Sequence, residues 1–287
     1  RETFAQADLV IAVGASMTSH TVDGGKLFPG AKVIQIDTAP LAIHHGRKTA
    51  DMHLIGDARA TVEALDAALP GRDRPAWRDA ALAAALETRP ADGRNYTIEP
   101  GVMDPRETVA VLDRLLPKDW HMVNGAGHSA YFPAHMRGRP ADRFHTIREF
   151  GAIGNGLSYG IGVATAHPDV PTVVIDGDGG FLMHAQELET VRRHGLRLLV
   201  CVLNDGGFGA EFHKLRGKGM DESGAIFGRG DLGAVARGFG LSGERITRGD
   251  ELAPAFERFM AGGGSAVWDL HISDRVISPN MRSRVGS

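Results

Sequence analysis

The sequence of 287 residues contains one cysteine and lacks long apolar runs. The single residue Cys201 excludes an intramolecular disulfide framework, and its place inside the apolar segment Leu198 to Leu203 predicts a small buried side chain rather than a nucleophile. No apolar run approaches the roughly 20 residues of a membrane-spanning helix, and the start of the chain shows no signal peptide. Together these absences predict a cytoplasmic protein.

The sequence also lacks an excess of either charge and lacks most short catalytic motifs. Its 32 Lys and Arg residues face 35 Asp and Glu residues, well mixed along the chain, which gives no support for binding to nucleic acid or to an anionic membrane. HExxH, paired CxxC, the P-loop and the nucleophile elbow are absent, and the histidines are too scattered to suggest a metal cluster. The glycine turns after the predicted strands lack the dinucleotide fingerprint GxGxxG, which disfavours a nucleotide-binding α/β oxidoreductase.

The most informative stretch of the sequence runs from Val173 to Gly209. A β-branched apolar run is followed by a glycine turn, a helical pattern of apolar residues at 182, 185, 188 and 191, a second apolar strand and a second glycine turn. This order predicts a βαβ unit with an acidic residue after each strand. Because the carboxyl ends of parallel strands lie on the same edge of a sheet, we expect Asp178 and Asp205 to face one ligand.

The residue types in these two turns suit a phosphorylated ligand and a hard cation. Glycines allow the backbone to approach a ligand closely, and the amides at a helix start favour a phosphate. Two carboxylates and a backbone carbonyl of the second turn would give a cation three oxygen ligands, leaving its opposite side to diphosphate oxygens and water, as is usual for Mg²⁺. Either turn alone is more often a plain loop, but the two turns together indicate a site for a cation and a phosphorylated ligand much more specifically.

The pattern Gly177-Asp178-Gly179 followed by Asn204-Asp205 resembles the diphosphate-binding motif of thiamine diphosphate (ThDP) enzymes, the family of acetolactate synthase, benzoylformate decarboxylase and pyruvate decarboxylase. The family often has Asn where Asp205 stands and Ser where Gly180 stands. The first difference adds a negative charge but keeps an oxygen ligand, and the second leaves only a backbone amide. The resemblance implies that Mg²⁺ is held by Asp178, Asp205 and the Gly207 carbonyl, and that the cofactor contacts Gly177, Asp178, Gly179, Gly180 and Phe208.

Four further residues follow from the same resemblance. In the glycine-rich segment before a predicted helix, Ile153 is implied to wedge between the two rings of ThDP, with the Gly151 carbonyl accepting a hydrogen bond from the cofactor amino group; a helix start packed on a sheet is the structural alternative. His128, in a glycine loop after a predicted strand, is implied to face the cofactor, although a lone histidine in a loop is more often a surface residue or one satisfied by other contacts. Glu211 matches a catalytic Glu of the pyruvate decarboxylase branch, although it also fits a solvated helix position.

The chain is predicted to be an α/β protein with parallel sheets flanked by helices. Two parallel-type strands and a Gly-Asp turn near the start resemble the latter part of the central domain of ThDP enzymes, and this region is also interpretable as part of any Rossmann-like sheet. Asp104 is a predicted N-cap, followed by Pro105. We therefore expect residues 1–70 to form the latter half of a central Rossmann-like domain, 71–104 a linker with a helix from Trp77 to Thr88, and 105–287 the ThDP diphosphate-binding domain.

The predicted function is ThDP- and Mg²⁺-dependent decarboxylation of a 2-oxo acid, carboligation, or both, nearest to the acetolactate synthase-like group. In that family a Glu of a pyrimidine-binding domain, usually of the partner subunit, activates the cofactor. We expect that domain to come from a missing N-terminal part or from a partner subunit, in a homodimer or homotetramer. The alternative is a non-catalytic or split cofactor-binding subunit that needs such a partner.

Overall fold

The computed structural model describes residues 2–19, 21–69, 71, 79–88, 92–147 and 149–285. Contacts divide the chain into two units, Arg1–Glu87 and Thr88–Ser287. The beginning of the predicted linker helix, at Trp77, lies outside the described residues, and the observed helix is Ala80–Thr88. Among the described residues, no helix combines the length and the apolarity that crossing a membrane requires.

The first unit is built on a small parallel sheet. Its strands are β1 Leu9–Val13, β2 Lys32–Asp37, β3 Ile43–His44, β4 Arg47–Lys48 and β5 Met52–Ile55, and its helices are α1 Glu2–Ala5, α2 Ala58–Ala68 and α3 Ala80–Thr88. The sheet has three strands in the order β1-β2-β5, and β3 and β4 form a separate antiparallel pair. Asp57 caps α2 by accepting a hydrogen bond of 2.9 Å from the Ala60 N–H, so the predicted Gly-Asp turn does start a helix.

The second unit contains a larger sheet covered by helices. Its strands are β6 His121–Asn124, β7 Phe144–Thr146, β8 Thr172–Gly177, β9 Leu198–Asn204, β10 Ser242–Ile246 and β11 Ala266–His271. Its helices are α4 Pro105–Leu115, α5 Gly156–Ala166, α6 Asp178–Met183, α7 Leu188–Arg193, α8 Gly209–Gly217, α9 Leu232–Gly238, α10 Leu252–Gly262 and α11 Pro279–Val285. The six strands run in the order β10-β11-β9-β8-β6-β7, and all pairings are parallel. The predicted fold class is confirmed.

The core of the second unit lies on both faces of this sheet. Every residue of β9 is buried, as expected for a parallel strand covered on two sides. One face packs Trp268 and Leu112 among its large apolar side chains, and the other packs Phe181 and Leu188. Cys201 lies in this core, where burial raises the pKa of its thiol, so the prediction of an unreactive buried cysteine agrees with the structure.

The order of the strands opens a crevice at one edge of the large sheet. The chain passes from β6 to β7 on one side and then returns to β8 on the other side of β6. Ligands of open α/β sheets bind at such a reversal, beyond the carboxyl ends of the strands. The turns that follow β6, β8 and β9 all lie on this edge.

The helix predicted after the first glycine turn differs from the observed one. The apolar pattern indicates one helix from Leu182 to Val191, whereas the structure has α6 starting at Asp178 and a separate α7 starting at Leu188, with a 3-10 turn between them. His184 ends α6 with non-helical angles (φ −127°, ψ 19°), and its Nδ1 lies 2.6 Å from the Ser158 Oγ of α5. A tertiary contact therefore interrupts a helix that the local pattern would continue.

Candidate functional site

The side chain of Asp178 joins the turn after β8 to the turn after β9. Its Oδ1 accepts a hydrogen bond of 2.8 Å from the Gly179 N–H, and its Oδ2 accepts one of 2.7 Å from the Gly206 N–H. The side chain is buried. The structure thus brings together the two glycine turns that the sequence separates by a helix and a strand.

Asp205 lies beside Asp178 and is also buried. Burial, together with the like charge of Asp205, raises the pKa of Asp178 to about 8, although amide hydrogen bonds from Gly179 and Gly206 act in the opposite direction. Two adjacent buried carboxylates are unfavourable as a pair of anions, and a divalent cation between them would relieve both the repulsion and the lost hydration. Their oxygens are the hard ligands that Mg²⁺ prefers.

The described residues contain no group of three or more His, Cys, Asp or Glu side chains that could hold a metal. Any cation at this edge would therefore be held by the two carboxylates with further oxygens from the backbone or a ligand. The Gly207 backbone lies in the same turn, where it pairs with Ile226 as an isolated bridge. The donor set thus fits a cation that completes its coordination with diphosphate oxygens and water.

Close contacts explain the glycines of the first turn. A Cβ on Gly177 would lie 2.9 Å from the Ser129 Oγ, and a Cβ on Gly179 would lie 2.7 Å from the Phe208 Cε1. The half-buried ring of Phe208 meets the Phe227 ring edge to face, with centroids 5.3 Å apart. The ring therefore covers the backbone of the first turn, and larger side chains would separate the two.

Asp176 in β8 is a further buried carboxyl that no sequence motif indicated, and burial raises its pKa to about 7. Three glycines pack so closely on this carboxyl group that a side chain would collide with it. A Cβ added to Gly125 would lie 2.3 Å from the Asp176 Oδ1, and one added to Gly156 would lie 2.1 Å from the Asp176 Oδ2. A Cβ added to Gly180 would lie 2.8 Å from the Asp176 Oδ1. Its carboxyl group thus packs against the backbone of the β6 turn, the start of α5 and α6. The glycines are visible in the sequence, but no local pattern links them to Asp176.

His128 follows β6 and is buried at the same edge. Its Nε2 accepts a hydrogen bond of 3.1 Å from the Ser278 N–H, and its Nδ1 lies 3.8 Å from the Asp205 Oδ2. A Cβ on Gly209 would lie 2.6 Å from that Asp205 oxygen and 3.1 Å from the His128 Nδ1. The absence of a side chain at Gly209 therefore lets the start of α8 pack closely on the histidine and the aspartate.

His213 is a second residue that the sequence analysis did not assign to the site. Its ring lies on the buried face of α8, edge to face with the His128 ring at a centroid distance of 4.6 Å. Burial, with smaller effects of His128 and Arg216, lowers the pKa of His213 to about 3. Among the described residues, neither of its ring nitrogens has a hydrogen-bond partner. The i, i+3, i+4 spacing of Gly209, Phe212 and His213 is the signal that could have indicated this inward face.

The segment that contains Ile153 reaches the same edge. The side chain of Ile153 is half-buried. A Cβ added to Gly127, in the turn after β6, would lie 3.4 Å from the Ile153 Cγ2. Gly151 is exposed with a φ of +67°, and Gly154 has a φ of +97° and packs against Met183 at the end of α6. These left-handed backbone angles require glycine and fold the segment against the turns of the site.

Glu211 lies on the outward face of α8. Its side chain is 57% exposed, and its Oε1 pairs with the Lys214 Nζ at 2.9 Å. Phe212 and His213, the next two residues, are buried instead. The structure therefore places the Glu211 carboxylate at the surface rather than with Asp178 and Asp205, and its catalytic role stays a prediction.

Comparison with protein-family models identifies the class of protein to which this site belongs. The model described as "Thiamine pyrophosphate enzyme, C-terminal TPP binding domain" matches residues 125–270, and "Thiamine pyrophosphate enzyme, central domain" matches residues 1–65. The chain belongs to the thiamine pyrophosphate enzyme family. The resemblance drawn from the glycine and aspartate motif is confirmed.

The relatives of the chain include both synthases and decarboxylases. It is 33% identical over 284 residues to the putative acetolactate synthase large subunit IlvB2 of Mycobacterium tuberculosis, with 96% of this chain and 49% of that protein covered. It is 29% identical over 254 residues to the probable 2-ketoarginine decarboxylase AruI of Pseudomonas aeruginosa, with 88% and 44% covered. The chain thus spans about half the length of these curated relatives.

A solved structure shares the fold. Benzoylformate decarboxylase from Polynucleobacter necessarius superposes with a TM-score of 0.70 at 18% identity, over 95% of this chain and 50% of that one. At this identity the likeness concerns the fold alone.

Proposed function

We propose that this chain forms the central-domain and cofactor-binding part of a ThDP- and Mg²⁺-dependent enzyme that decarboxylates a 2-oxo acid, carries out acetolactate synthase-like carboligation, or does both. The observation that carries the proposal is the pair of adjacent buried carboxylates, Asp178 and Asp205, at the carboxyl edge of a sheet within the matched TPP-binding domain. The similarity to the putative acetolactate synthase IlvB2 and to the probable 2-ketoarginine decarboxylase AruI supports both reaction types.

The proposed metal ligands are the carboxylates of Asp178 and Asp205 and the backbone carbonyl of Gly207. Because a coordinating carboxylate must be ionised, a cation at this site would displace the proton that the raised pKa of Asp178 retains near neutral pH. The cation would then hold diphosphate oxygens at the open side of the turn. The affinity of the site for Mg²⁺ should accordingly rise with pH up to about 8.

The remaining proposed contacts position the cofactor. The backbone of the β8 turn and the start of α6 approach the diphosphate, His128 faces it from the β6 turn, and Phe208 covers the turn from the side. Gly151 and Ile153 are proposed to set the relative orientation of the two cofactor rings. Bound ThDP supplies a carbon nucleophile and an electron sink for loss of CO2 from a 2-oxo acid. The diphosphate contacts of the β8 turn are proposed to come from Gly177, Gly179 and Gly180.

The rest of the enzyme is proposed from the length of the relatives. Since the chain spans about half of them, a pyrimidine-binding domain from the remaining sequence or from a partner subunit is proposed to complete the site, in a cytoplasmic homodimer or homotetramer. We also propose the domain limits 1–70, 71–104 and 105–287. The two family-model matches and the division between Glu87 and Thr88 support this arrangement.

Calorimetric titration of ThDP into the chain, first with Mg²⁺ and then with EDTA, tests the proposal. We expect binding only with Mg²⁺, and its loss in Asp178→Ala. Asp221→Ala is the matched control, because that exposed acid hydrogen-bonds to Ser223 and lies outside the site. Binding that persists in EDTA, or unchanged affinity in Asp178→Ala, would contradict the proposal. If the wild-type chain alone does not bind, the titration is repeated with the full-length protein, and absence of Mg²⁺-dependent binding there would contradict the proposal as well.

A further inference from the structure

The segment before α11 contacts the histidine of the site. Ser278 is fully buried, and its backbone N–H donates the 3.1 Å hydrogen bond to the His128 Nε2 across 150 positions of sequence. A backbone amide can only donate, so the nitrogen that accepts from it carries no proton. The proton of the neutral ring must then lie on Nδ1, because the hydrogen bond at one ring nitrogen fixes the state of the other.

The Nδ1 of His128 lies on the side of the ring that faces Asp205. It lies 3.8 Å from the Asp205 Oδ2, beyond hydrogen-bond distance, and the described part of the chain offers it no hydrogen-bond partner. The side chain of His128 is only 3% exposed, so bulk water does not readily supply one. The backbone of Gly209 packs closely on both side chains, and a Cβ at that position would collide with them. A buried N–H without a partner, beside a carboxylate that is proposed to bind a cation, indicates a ligand with an acceptor atom.

An ion pair and a tyrosine hold the Ser278 amide in place. Arg282 of α11 binds Asp92 with both terminal nitrogens, at 2.8 Å and 2.9 Å. The same guanidinium donates to the Tyr96 hydroxyl at 2.8 Å, and that hydroxyl donates at 3.1 Å to the carbonyl of Ile277, the residue before Ser278. The side chain of Asp92 is 5% exposed, which shields this ion pair from solvent. The position of the amide is therefore determined by contacts outside the site itself.

We propose that the Ser278 backbone N–H is a positioning group that holds His128 as the Nδ1–H tautomer, so that Nδ1 donates to an anionic oxygen of a diphosphate bound beside Asp178 and Asp205. This inference rests on the proposed function for its ligand, but the tautomer itself is a property of the free chain. The same oxygen chemistry occurs in inorganic diphosphate and in ThDP, and both serve as probes.

The tautomer is measurable by long-range ¹H–¹⁵N correlation spectra of the chain labelled with ¹⁵N-histidine at neutral pH, with His128→Gln assigning the signals. The wild type should show the Nδ1–H pattern for His128. Ser278→Ala keeps the amide N–H and removes only the hydroxyl, so its pattern should be the same. Ser278→Pro removes the N–H and should lose the pattern. An Nε2–H pattern in the wild type, or an unchanged pattern in a folded Ser278→Pro variant, would overturn the proposal.

Tyr96→Phe provides a milder variant should Ser278→Pro fail to fold. It removes one of two donors to the Ile277 carbonyl, the other being the Arg282 Nη1 at 3.3 Å, and it changes neither Ser278 nor His128. We expect a mixture of the two tautomers in this variant. A pure Nδ1–H pattern would show that the anchoring of the segment does not control the histidine, and would overturn that part of the inference.

Titration with inorganic diphosphate and with ThDP, each with Mg²⁺, tests the donor role. Both should shift the His128 Nδ1 signal in the wild type, and Ser278→Pro should weaken inorganic diphosphate binding on the order of tenfold while Ser278→Ala leaves it unchanged. An Nδ1–H signal that neither ligand moves would overturn the donor role. Mg²⁺-dependent ThDP binding by a chain with the Nε2–H tautomer would overturn the role of Ser278 and leave the proposed function intact.

Discussion

The Oδ2 of Asp178 accepts a hydrogen bond of 2.7 Å from the backbone N–H of Gly206, which lies 28 positions further along the chain. This contact fixes the turn after β9 against the turn after β8. Because Asp205 precedes Gly206 directly, the same contact brings the second carboxylate close to the first.

Asp205→Asn should stabilise the metal-free chain and preserve Mg²⁺-dependent ThDP binding. The substitution removes a like charge that contributes to the raised pKa of Asp178, and it retains an oxygen ligand. Above pH 8, where the Asp178 carboxyl of the wild type is ionised, we expect the substitution to raise the free energy of unfolding by about 1 kcal/mol. Urea denaturation with EDTA measures this gain, and calorimetry measures the binding. Lower stability, or loss of binding, would show that the Asp205 charge has a specific partner.

The meeting of the two acidic turns could be predicted because it depends on a short stretch of sequence. β8 and β9 are neighbouring parallel strands, so an acid after each strand must reach the same edge. The close packing of glycine backbones around the Asp176 carboxyl group could not be predicted in this way. It depends on how closely Gly125 and Gly156, from two other turns, pack on one carboxyl group, and no periodicity records such a contact.

Two other features of the site depend equally on distant segments. The break between α6 and α7 coincides with the contact of His184 with Ser158, although the apolar spacing continues through it. His128 was implied by resemblance, but its hydrogen bond to Ser278 joins positions 150 residues apart, which no local pattern connects. Local patterns therefore predicted the strands and their turns, whereas tertiary contacts determine the side-chain environment.

Glu211→Gln separates the predicted catalytic role of Glu211 from a purely structural one. The ion pair with Lys214 is exposed, so we expect the free energy of unfolding to change by less than about 0.5 kcal/mol. If the carboxylate handles protons during turnover, kcat measured in the full-length enzyme should fall at least tenfold while ThDP affinity stays the same. Lys214→Ala is the control for the ion pair alone. Equal turnover in wild type and Glu211→Gln would identify Glu211 as a surface residue.

The contrast between two glycines of α5 tests how this helix packs on the sheet. A Cβ on Gly160 would lie 2.3 Å from the Val174 Cγ2, whereas a Cβ on Gly162 would meet no atom within 4 Å. Gly160→Ala should therefore lower the free energy of unfolding by about 1–3 kcal/mol through overpacking. Gly162→Ala, on the same helix, should raise it by about 0.5–1 kcal/mol because alanine is the better helix former. Urea denaturation of both variants checks this, and effects of the same sign would contradict the packing described.

The histidine at the start of β6 should make stability depend on pH. His121 is buried and stacks on the His167 ring, and Arg143 donates to its Nε2 at 2.6 Å. Its Nδ1 lies 2.9 Å from the His145 Nε2. Burial first, and then the nearby His167, Arg143 and His145, lower the pKa of His121 to about 4, against a small opposite effect of Asp142.

The sign of the effect follows from proton binding. Between pH 6.5 and about 4 the unfolded state protonates His121 and the folded state does not, so protons favour unfolding in this range. The free energy of unfolding should be unaffected by this group above pH 6.5 and should fall by at most about 1.4 kcal/mol per pH unit below it. Urea denaturation of wild type and His121→Phe at pH 7, 6 and 5 isolates the contribution as the difference between the two proteins. A difference that stays constant across these pH values would mean that His121 takes up a proton as readily in the folded chain as in the unfolded one.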